Sequence, residues 1–519
     1  MKVHLLYRDR DFDLDAPLPA THEDLTRDLD LATVVRAMAG GDRLLAAVAS
    51  RVLLTSLTDP QDIRYRQEIL RDLLAQPDIA REVYTVTVEA LEQRRSIWGY
   101  SATSRPSLIL SGAVDYLQSY VGYLKRLRAI ADERHDSVHS AGMASFFRAL
   151  QEELDDAYFH TVQCHLQRLQ FRDGLLLSAE LARDNTGRNY LLRTPERDRP
   201  GWKQKLGLTE RTSYSFTVPP RDDAGGQALD ELTNRGTNQV ANAVAQAADH
   251  IKSYLTALRT ELAFYVGCLN LHDRLTEAGQ PTCLPDVRPT SEAALRCRDL
   301  RDPSLALQSS HPMMVGNDAD ATGRSLVIVT GANSGGKSTF LRSIGLAQVM
   351  AQAGMFVAAS DHCASICSGV FTHFIREEDA TMRAGRLEEE LARMNALVDH
   401  IQPGALVLFN ESFHSTNERE GSEIARQIVR GLREGGDRVV FVTHQFDFAT
   451  GFLAEDGVSA LFLQARRRAD GQRDYHLVPG PPLPSAYGAD LYDTVFGEPL
   501  PRTAPTGSSR SLEPGWTEP

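Results

Sequence analysis

The chain has 519 residues, 42% hydrophobic and 24% charged. That balance is ordinary for a globular protein, and the length calls for two or three domains. The formal net charge of −13 excludes a uniformly basic nucleic-acid binder but leaves room for a local basic patch. No apolar run reaches the roughly 18–20 residues of a membrane-spanning helix, and the start MKVHLLYRDRDFD turns to charge too soon for a signal peptide. A cytoplasmic protein with no membrane partner is expected.

Residues 20–95 read as several short helices, with the turn signal Thr58-Asp59-Pro60 between two of them. From about 112 to 170 the pattern is long and helical. Val114, Leu117, Val121 and Leu124 recur at three- and four-residue steps, as do Phe147, Leu150, Leu154, Tyr158, Val162, Leu166 and Leu169. A third stripe runs Val240, Val244, Ala247, Ile251, Leu255, Leu258, Leu262, Tyr265. Such stripes set one face of a long helix against a partner, which is core packing.

Residues 182–221, between these helices, have β-type stretches and nine Lys/Arg against four Asp/Glu. Tyr190, Trp202, Tyr214 and Phe216 are interleaved with Arg193, Arg197, Arg199, Lys203, Lys205 and Arg211. A phosphate backbone rewards clustered cations of this kind, while a solvated loop of alternating charge has the same composition. From about 323 the texture becomes α/β: SLVIVTG, ALVLFNE and RVVFVTH alternate with helical stretches, as in a parallel sheet with crossover helices. The six scattered cysteines argue for reduced thiols, and His362, Cys363 and Cys367, the one cluster, offer too few ligands for a zinc site. The last 15–20 residues are rich in Pro, Ser and Gly and are expected to be disordered.

The strongest signal is SLVIVTGANSGGKSTFLRSIG. Gly331-Ala332-Asn333-Ser334-Gly335-Gly336-Lys337-Ser338 fits G-x-x-x-x-G-K-[ST] between an apolar strand and a helix. The glycines let backbone N–H groups turn toward phosphate oxygens, Lys337 neutralises the outer phosphates, and the Ser338 hydroxyl ligates Mg²⁺. The helix that follows aims its positive end at the anion. In ALVLFNESFHSTNEREG a buried strand runs into Asn410-Glu411. Glu411 is placed to orient or deprotonate the attacking water. Thr443-His444 ends another strand at the same edge, which puts His444 within reach of the γ-phosphate. A nucleoside triphosphate with Mg²⁺ is therefore expected, ATP once the resemblance that follows is taken into account.

The phosphate loop and its helix, the LFNESFHSTNEREG stretch and the later VTHQFDFA resemble the MutS family of DNA mismatch-repair ATPases. SRVLLTSLTDPQDIRYRQEILRDLL looks like the start of that family's core or lever domain. His311-Pro312 and SAYGADLYDTVFG resemble further family positions around the ATPase. The resemblance spans roughly residues 30–500 and is dense over 310–450. It implies an ABC-like P-loop ATPase domain at 301–500, preceded by a mostly α-helical core. That core divides into an N-terminal part at 1–110 and lever helices at 111–300. A small β-rich, clamp-like insert falls at about 171–225, and a disordered tail at 501–519.

Carried over by position, Gly331, Asn333, Gly335, Gly336, Lys337, Ser338 and Thr339 would cradle the triphosphate. Ser338 and Asn410 would hold magnesium, Glu411 would be the catalytic carboxylate and His444 the γ-phosphate sensor. The resemblance also implies a homodimer in which a segment near Gly385-Arg386, with Ser415 and Thr416, meets the partner's site. Double-stranded or branched DNA is the implied ligand, held by Arg193, Arg197, Arg199, Lys203, Lys205 and Arg211. Three departures bear on function. Asn410 stands where relatives usually carry aspartate, which predicts weaker magnesium affinity and slow hydrolysis. Gly385 stands where relatives carry serine. The resemblance leaves the family's mismatch-reading and connector domains, its G-x-F-[YF]-E wedge motif and a C-terminal nuclease-like module without an expected counterpart in these 519 residues. These departures keep open an alternative, a slow or non-hydrolysing nucleotide-gated scaffold for a protein or ribonucleoprotein partner.

Overall fold

The computed structural model describes residues 2–93, 105–172, 174–184, 186–194, 214–308, 314–332, 335–376, 385–455, 459–467 and 473–483. His311-Pro312, the SAYGADLYDTVFG stretch and the 501–519 tail lie outside them.

The N-terminal region is helical for local reasons that can be named. Asp42 accepts from the Leu44 and Leu45 amides to cap Arg43–Leu54, and Asp59 caps Pro60–Ala75, whose proline occupies the first turn. Side-chain caps and an N-terminal proline both answer the unpaired N–H groups of a helix start. The apolar stripes of 106–169 do not form one rod. They are carried by Pro106–Arg134, Ala141–Glu153 and Asp156–Leu169. Ser140 and Asp155 cap the second and third of these helices, bonding Met143 N at 3.3 Å and Tyr158 N at 2.6 Å. The stripe runs through the break because both helices pack on the same core.

The third stripe does lie on a single helix, Asp223–Glu277, of 55 residues. At 1.5 Å per residue it is about 80 Å long. Strands β1 (Leu176–Leu181) and β2 (Gly187–Arg193) form an antiparallel hairpin beside its N-terminal part. There Leu177 packs so closely on Gly236 that a Cβ at that glycine would lie 2.4 Å from it.

The C-terminal part carries two sheets. Strands β3 (Asp286–Arg288), β4 (Leu295–Leu300), β5 (Asn317–Asp320) and β7 (Asp361–Ser365) form a mixed sheet in the order β3-β7-β4-β5. The larger sheet contains β6 (Leu326–Gly331), β8 (Val370–Phe374), β9 (Leu406–Asn410), β10 (Arg438–Val442), β11 (Ala460–Arg467) and β12 (Arg473–Pro479), in the order β12-β11-β6-β10-β9-β8. All its pairs are parallel except β11–β12. Alternate residues of β6 serve two cores, as a strand covered on both faces requires. Val327 and Val329 join Phe340, Leu341 and Ile344 of the helix Lys337–Gln352. Leu326 and Ile328 join Phe409 and Phe441, which stack at 5.0 Å, and Phe448.

The two parts meet over buried polar contacts. The fully buried Arg66 donates to the Leu6 carbonyl at 2.7 Å and, at 3.3 Å, to the Ala353 carbonyl just past the helix Lys337–Gln352. Gln352 on that helix donates to the Leu57 carbonyl at 2.8 Å. Gly354 next to it has φ +79°, and a Cβ there would meet Arg66 at 2.5 Å. All six cysteines are free; Cys367 is buried, its thiol 2.8 Å from Gln352 Oε1. Among the described residues no helix is long and apolar enough to cross a membrane.

Candidate functional site

The site is built where β6, β9 and β10 end side by side, at the carboxyl edge where parallel sheets bind ligands. Gly331 ends β6 at φ +110°, and a Cβ there would sit 2.9 Å from the Ala465 backbone nitrogen of β11. Gly336 caps the following helix at φ +88°. Both conformations favour glycine. Between them Asn333 lies outside the described residues. Lys337 is buried, its Nζ donating to the carbonyls of Gly331 at 2.8 Å and Ala332 at 3.1 Å. Burial lowers its pKa, with Glu411 pulling the other way. Ser338 donates from Oγ to Asn410 Oδ1 at 2.9 Å, which joins the phosphate-loop helix to the end of β9. Thr339 follows on the first turn, partly exposed.

Glu411 leaves β9 at φ +54°, and its N–H donates to the Val442 carbonyl at 2.9 Å. Thr443 N donates to the Val329 carbonyl at 3.1 Å, so the ends of β9, β10 and β6 are tied in series. The Glu411 carboxylate accepts from the His444 backbone N–H at 3.2 Å. Its Oε2 also lies 2.7 Å from His444 Nδ1, a close contact bent away from a straight hydrogen bond. This close approach of the Glu411 carboxylate, and behind it the carboxylate charge, raises the His444 pKa against burial. On the far side of the ring, Nε2 of His444 stands 2.6 Å from Nε2 of His414, the rings edge-to-face. His414 is shifted downward, by burial first and the charge of His444 next.

The family model described as MutS domain V matches residues 327–492, and the one described as MutS2 N-terminal domain matches residues 58–278. The chain belongs to the MutS family. DNA mismatch repair protein MutS of Thermus aquaticus is 27% identical over 304 residues, which is 59% of this chain and 36% of that protein. DNA mismatch repair protein MutS 2 of Haloarcula marismortui is 32% identical over 168 residues, 32% of this chain and 18% of that protein. Endonuclease MutS2 of Geobacillus kaustophilus is 32% identical over 145 residues, 27% of this chain and 18% of that protein. The chain thus spans no more than 36% of the length of these curated relatives.

Other residues expected of a MutS-family chain fall in different places. Gly385 is the N-cap of the helix Arg386–Val398 and has no side-chain cap; Arg386 is exposed and reaches the Arg376 carbonyl at 3.4 Å. Ser415 is turned inward, donating to Glu390 Oε1 at 2.7 Å, and Thr416 donates to Glu420 at 2.7 Å. Arg193 ends β2 exposed, with Nε 2.9 Å from Ser178 Oγ. Arg197, Arg199, Lys203, Lys205 and Arg211 lie outside the described residues. Of the groups singled out in the sequence, the structure brings together Gly331, Gly336, Lys337, Ser338, Asn410, Glu411 and His444.

Three residues at this site escape a reading by motif. His414 is one. Glu390 and His373, both buried, are the others. The loop 411–415 holds two non-glycine residues in the left-handed region, Glu411 and Phe413 at φ +61°. Each costs about 1–3 kcal/mol and persists only where the surroundings enforce it. His373 stacks on Phe413 at 5.2 Å, and its Nδ1 lies 2.8 Å from the Ser412 hydroxyl. Its Nε2 faces the Glu390 carbonyl at 3.1 Å, which requires the proton on that nitrogen. Burial holds this ring neutral, with its pKa pushed down to about 4.

Proposed function

We propose that this chain binds ATP with magnesium and hydrolyses it slowly, as a DNA-associated homodimeric ATPase of repair or recombination. The observation that carries the reading is the meeting of Lys337, the Ser338–Asn410 bond and the Glu411–His444 pair at adjacent ends of parallel strands. Gly336 and the helix start after it supply inward-facing N–H groups for phosphate oxygens. Lys337 leaves its two carbonyls to neutralise the outer phosphates. Glu411, held by the His444 amide, takes the position of a base or water-orienting group, and His444 Nε2 turns from His414 to donate to the γ-phosphate.

Magnesium fits this donor set, which is all oxygen: the Ser338 hydroxyl and the Asn410 carbonyl, directly or through water. When bound it neutralises phosphate charge. An amide in place of a carboxylate removes one negative charge beside the cation, which weakens its hold and slows turnover. The same amide favours the second reading, a nucleotide-gated scaffold with little hydrolysis.

The hairpin β1–β2, beside the end of the 55-residue helix remote from the nucleotide site, is the place for DNA, with Arg193 and the basic stretch 197–211 as contacts. Clustered phosphate contacts make such binding fall steeply with salt. The test is binding to linear and four-way branched duplexes between 50 and 200 mM salt, with turnover and oligomeric state measured alongside. Salt-sensitive binding that weakens when Arg197, Arg199, Lys203 and Lys205 become alanine supports the DNA reading. No affinity even at the lowest salt removes it and leaves the scaffold.

A further inference from the structure

Glu390 belongs to the helix Arg386–Val398 and follows two other glutamates, Glu388 and Glu389. It is the one residue of the three that is buried as a whole, only 5% exposed. Both of its oxygens are used inside the protein, and both on the loop that follows the catalytic carboxylate. Oε2 accepts from the Phe413 amide at 2.8 Å and Oε1 from the Ser415 hydroxyl at 2.7 Å. The next peptide unit is held too, since Gln445 Nε2 donates to the Phe413 carbonyl at 3.1 Å. Gln445 is buried and directly follows His444.

Phe413 is therefore clamped from two directions, by a helix on one side and by the residue after the sensor histidine on the other. It has no glycine's freedom to take φ +61°. Two residues upstream, Glu411 stands at φ +54°, and its side-chain aim depends on where this loop begins. A carboxylate that accepts two hydrogen bonds in a buried site makes charge-assisted bonds, the strong kind. The backbone of its helix joins in, because the Glu390 carbonyl holds His373, which stacks on Phe413.

We propose that Glu390 is a positioning residue: by holding the Phe413 amide and the Ser415 hydroxyl it fixes the loop that aims Glu411, so that turnover depends on a side chain whose oxygens never reach the nucleotide. The proposal rests on the reading of Glu411 as the catalytic carboxylate. It also makes the helix beginning at Gly385-Arg386 a structural part of the hydrolytic site within one chain.

The test uses the full chain and the variants Glu390→Ala, Glu390→Gln and Ser415→Ala. Three quantities are measured: steady-state ATP turnover, equilibrium MgATP affinity, and hydrogen exchange of the 411–416 amides. Glu390→Ala is expected to lower kcat at least tenfold with KM and affinity within twofold of wild type. Exchange at 411–416 should rise at least tenfold while the β10 amides stay unchanged. Glu390→Gln can still accept from Phe413 through its carbonyl and donate to Ser415 through its amide, so kcat should return to within threefold of wild type. Ser415→Ala loses one of the two bonds and is expected to cost two- to fivefold in kcat alone.

Wild-type kcat and exchange in Glu390→Ala would overturn the proposal, as would Glu390→Gln being as impaired as Glu390→Ala. If Glu390→Ala does not fold, Ser415→Ala decides, and wild-type kcat and exchange in that variant count against the brace. If the wild-type chain shows no turnover, the hydrolysis reading fails. The exchange measurement then still separates a held loop from an unheld one.

Discussion

The two ends of the helix Asp223–Glu277 are held very differently. From Tyr254 to Leu275 it is largely buried, and Glu261, with no exposure at all, takes the amides of Leu5, Leu6 and Phe12 at 2.6, 2.9 and 2.8 Å. Tyr265 completes the grip by donating to the Leu5 carbonyl at 2.6 Å. Arg66 carries that same N-terminal segment on to Ala353 beside the phosphate-loop helix. At the other end Leu229 and Leu232 are exposed, and the adjoining hairpin shows Leu181 at 74% exposure. One element is thus anchored in the N-terminal helical part, which Arg66 ties to the phosphate-loop helix, and nearly free where the proposed DNA contact lies. In the proposed function, a rigid helix held this way carries a change at its anchored end to its free end.

Breaking the anchored end should cost most. Glu261→Ala leaves three backbone N–H groups without their acceptor, those of Leu5 and Leu6 buried and that of Phe12 half-buried, each buried one worth about 1–3 kcal/mol. An overall loss of at least about 3 kcal/mol in urea unfolding is expected, and less than about 1 kcal/mol would show that the end is not anchored as described. Arg66→Met should follow at about 2–3 kcal/mol, from the loss of charged hydrogen bonds to two carbonyls.

The same carboxylate gives a pH signature. Burial raises Glu261 from 4.5 to about 7 against the pull of its three amide donors. The folded protein then holds this proton more tightly than the unfolded chain. The contribution is fully present below about pH 4.5 and is lost as pH rises through about 7. Urea midpoints measured across that window should fall with pH from this group, and Glu261→Gln should remove that part of the slope. At the free end, Leu181→Ser should change stability by no more than about 0.5 kcal/mol. A larger loss would mean that the hairpin is packed more firmly than its exposure indicates.

Legibility in the sequence follows the same contrast. The phosphate loop, Glu411 and His444 were readable because each follows an apolar strand within a few residues, and the proposed function needs those residue types at those places. The long stripe ending at Tyr265 was readable because one periodicity runs through it. What escaped was long-range. VHLLY near the N-terminus reads only as a short apolar run, yet Leu5 and Leu6 are fully buried by partners some 60 and 255 residues away. Glu261 and Glu390 look like ordinary helix-surface carboxylates. The period held a clue for Glu390, which shares a buried face with Met394 and Leu397 at four and seven residues' distance. Asp155 broke a stripe that seemed continuous, because an N-cap can end one helix and start another without disturbing the apolar face.

The central claim is that Glu411 performs hydrolysis at a phosphate loop formed by Lys337 and Ser338. It is tested most directly by measuring MgATP binding and turnover in the same preparation for wild type and Glu411→Gln. The account predicts measurable, slow turnover in wild type. In the variant it predicts MgATP affinity within a fewfold of wild type and turnover lower by at least 100-fold. Equal turnover in the two proteins, or no ATP binding by wild type, would contradict it.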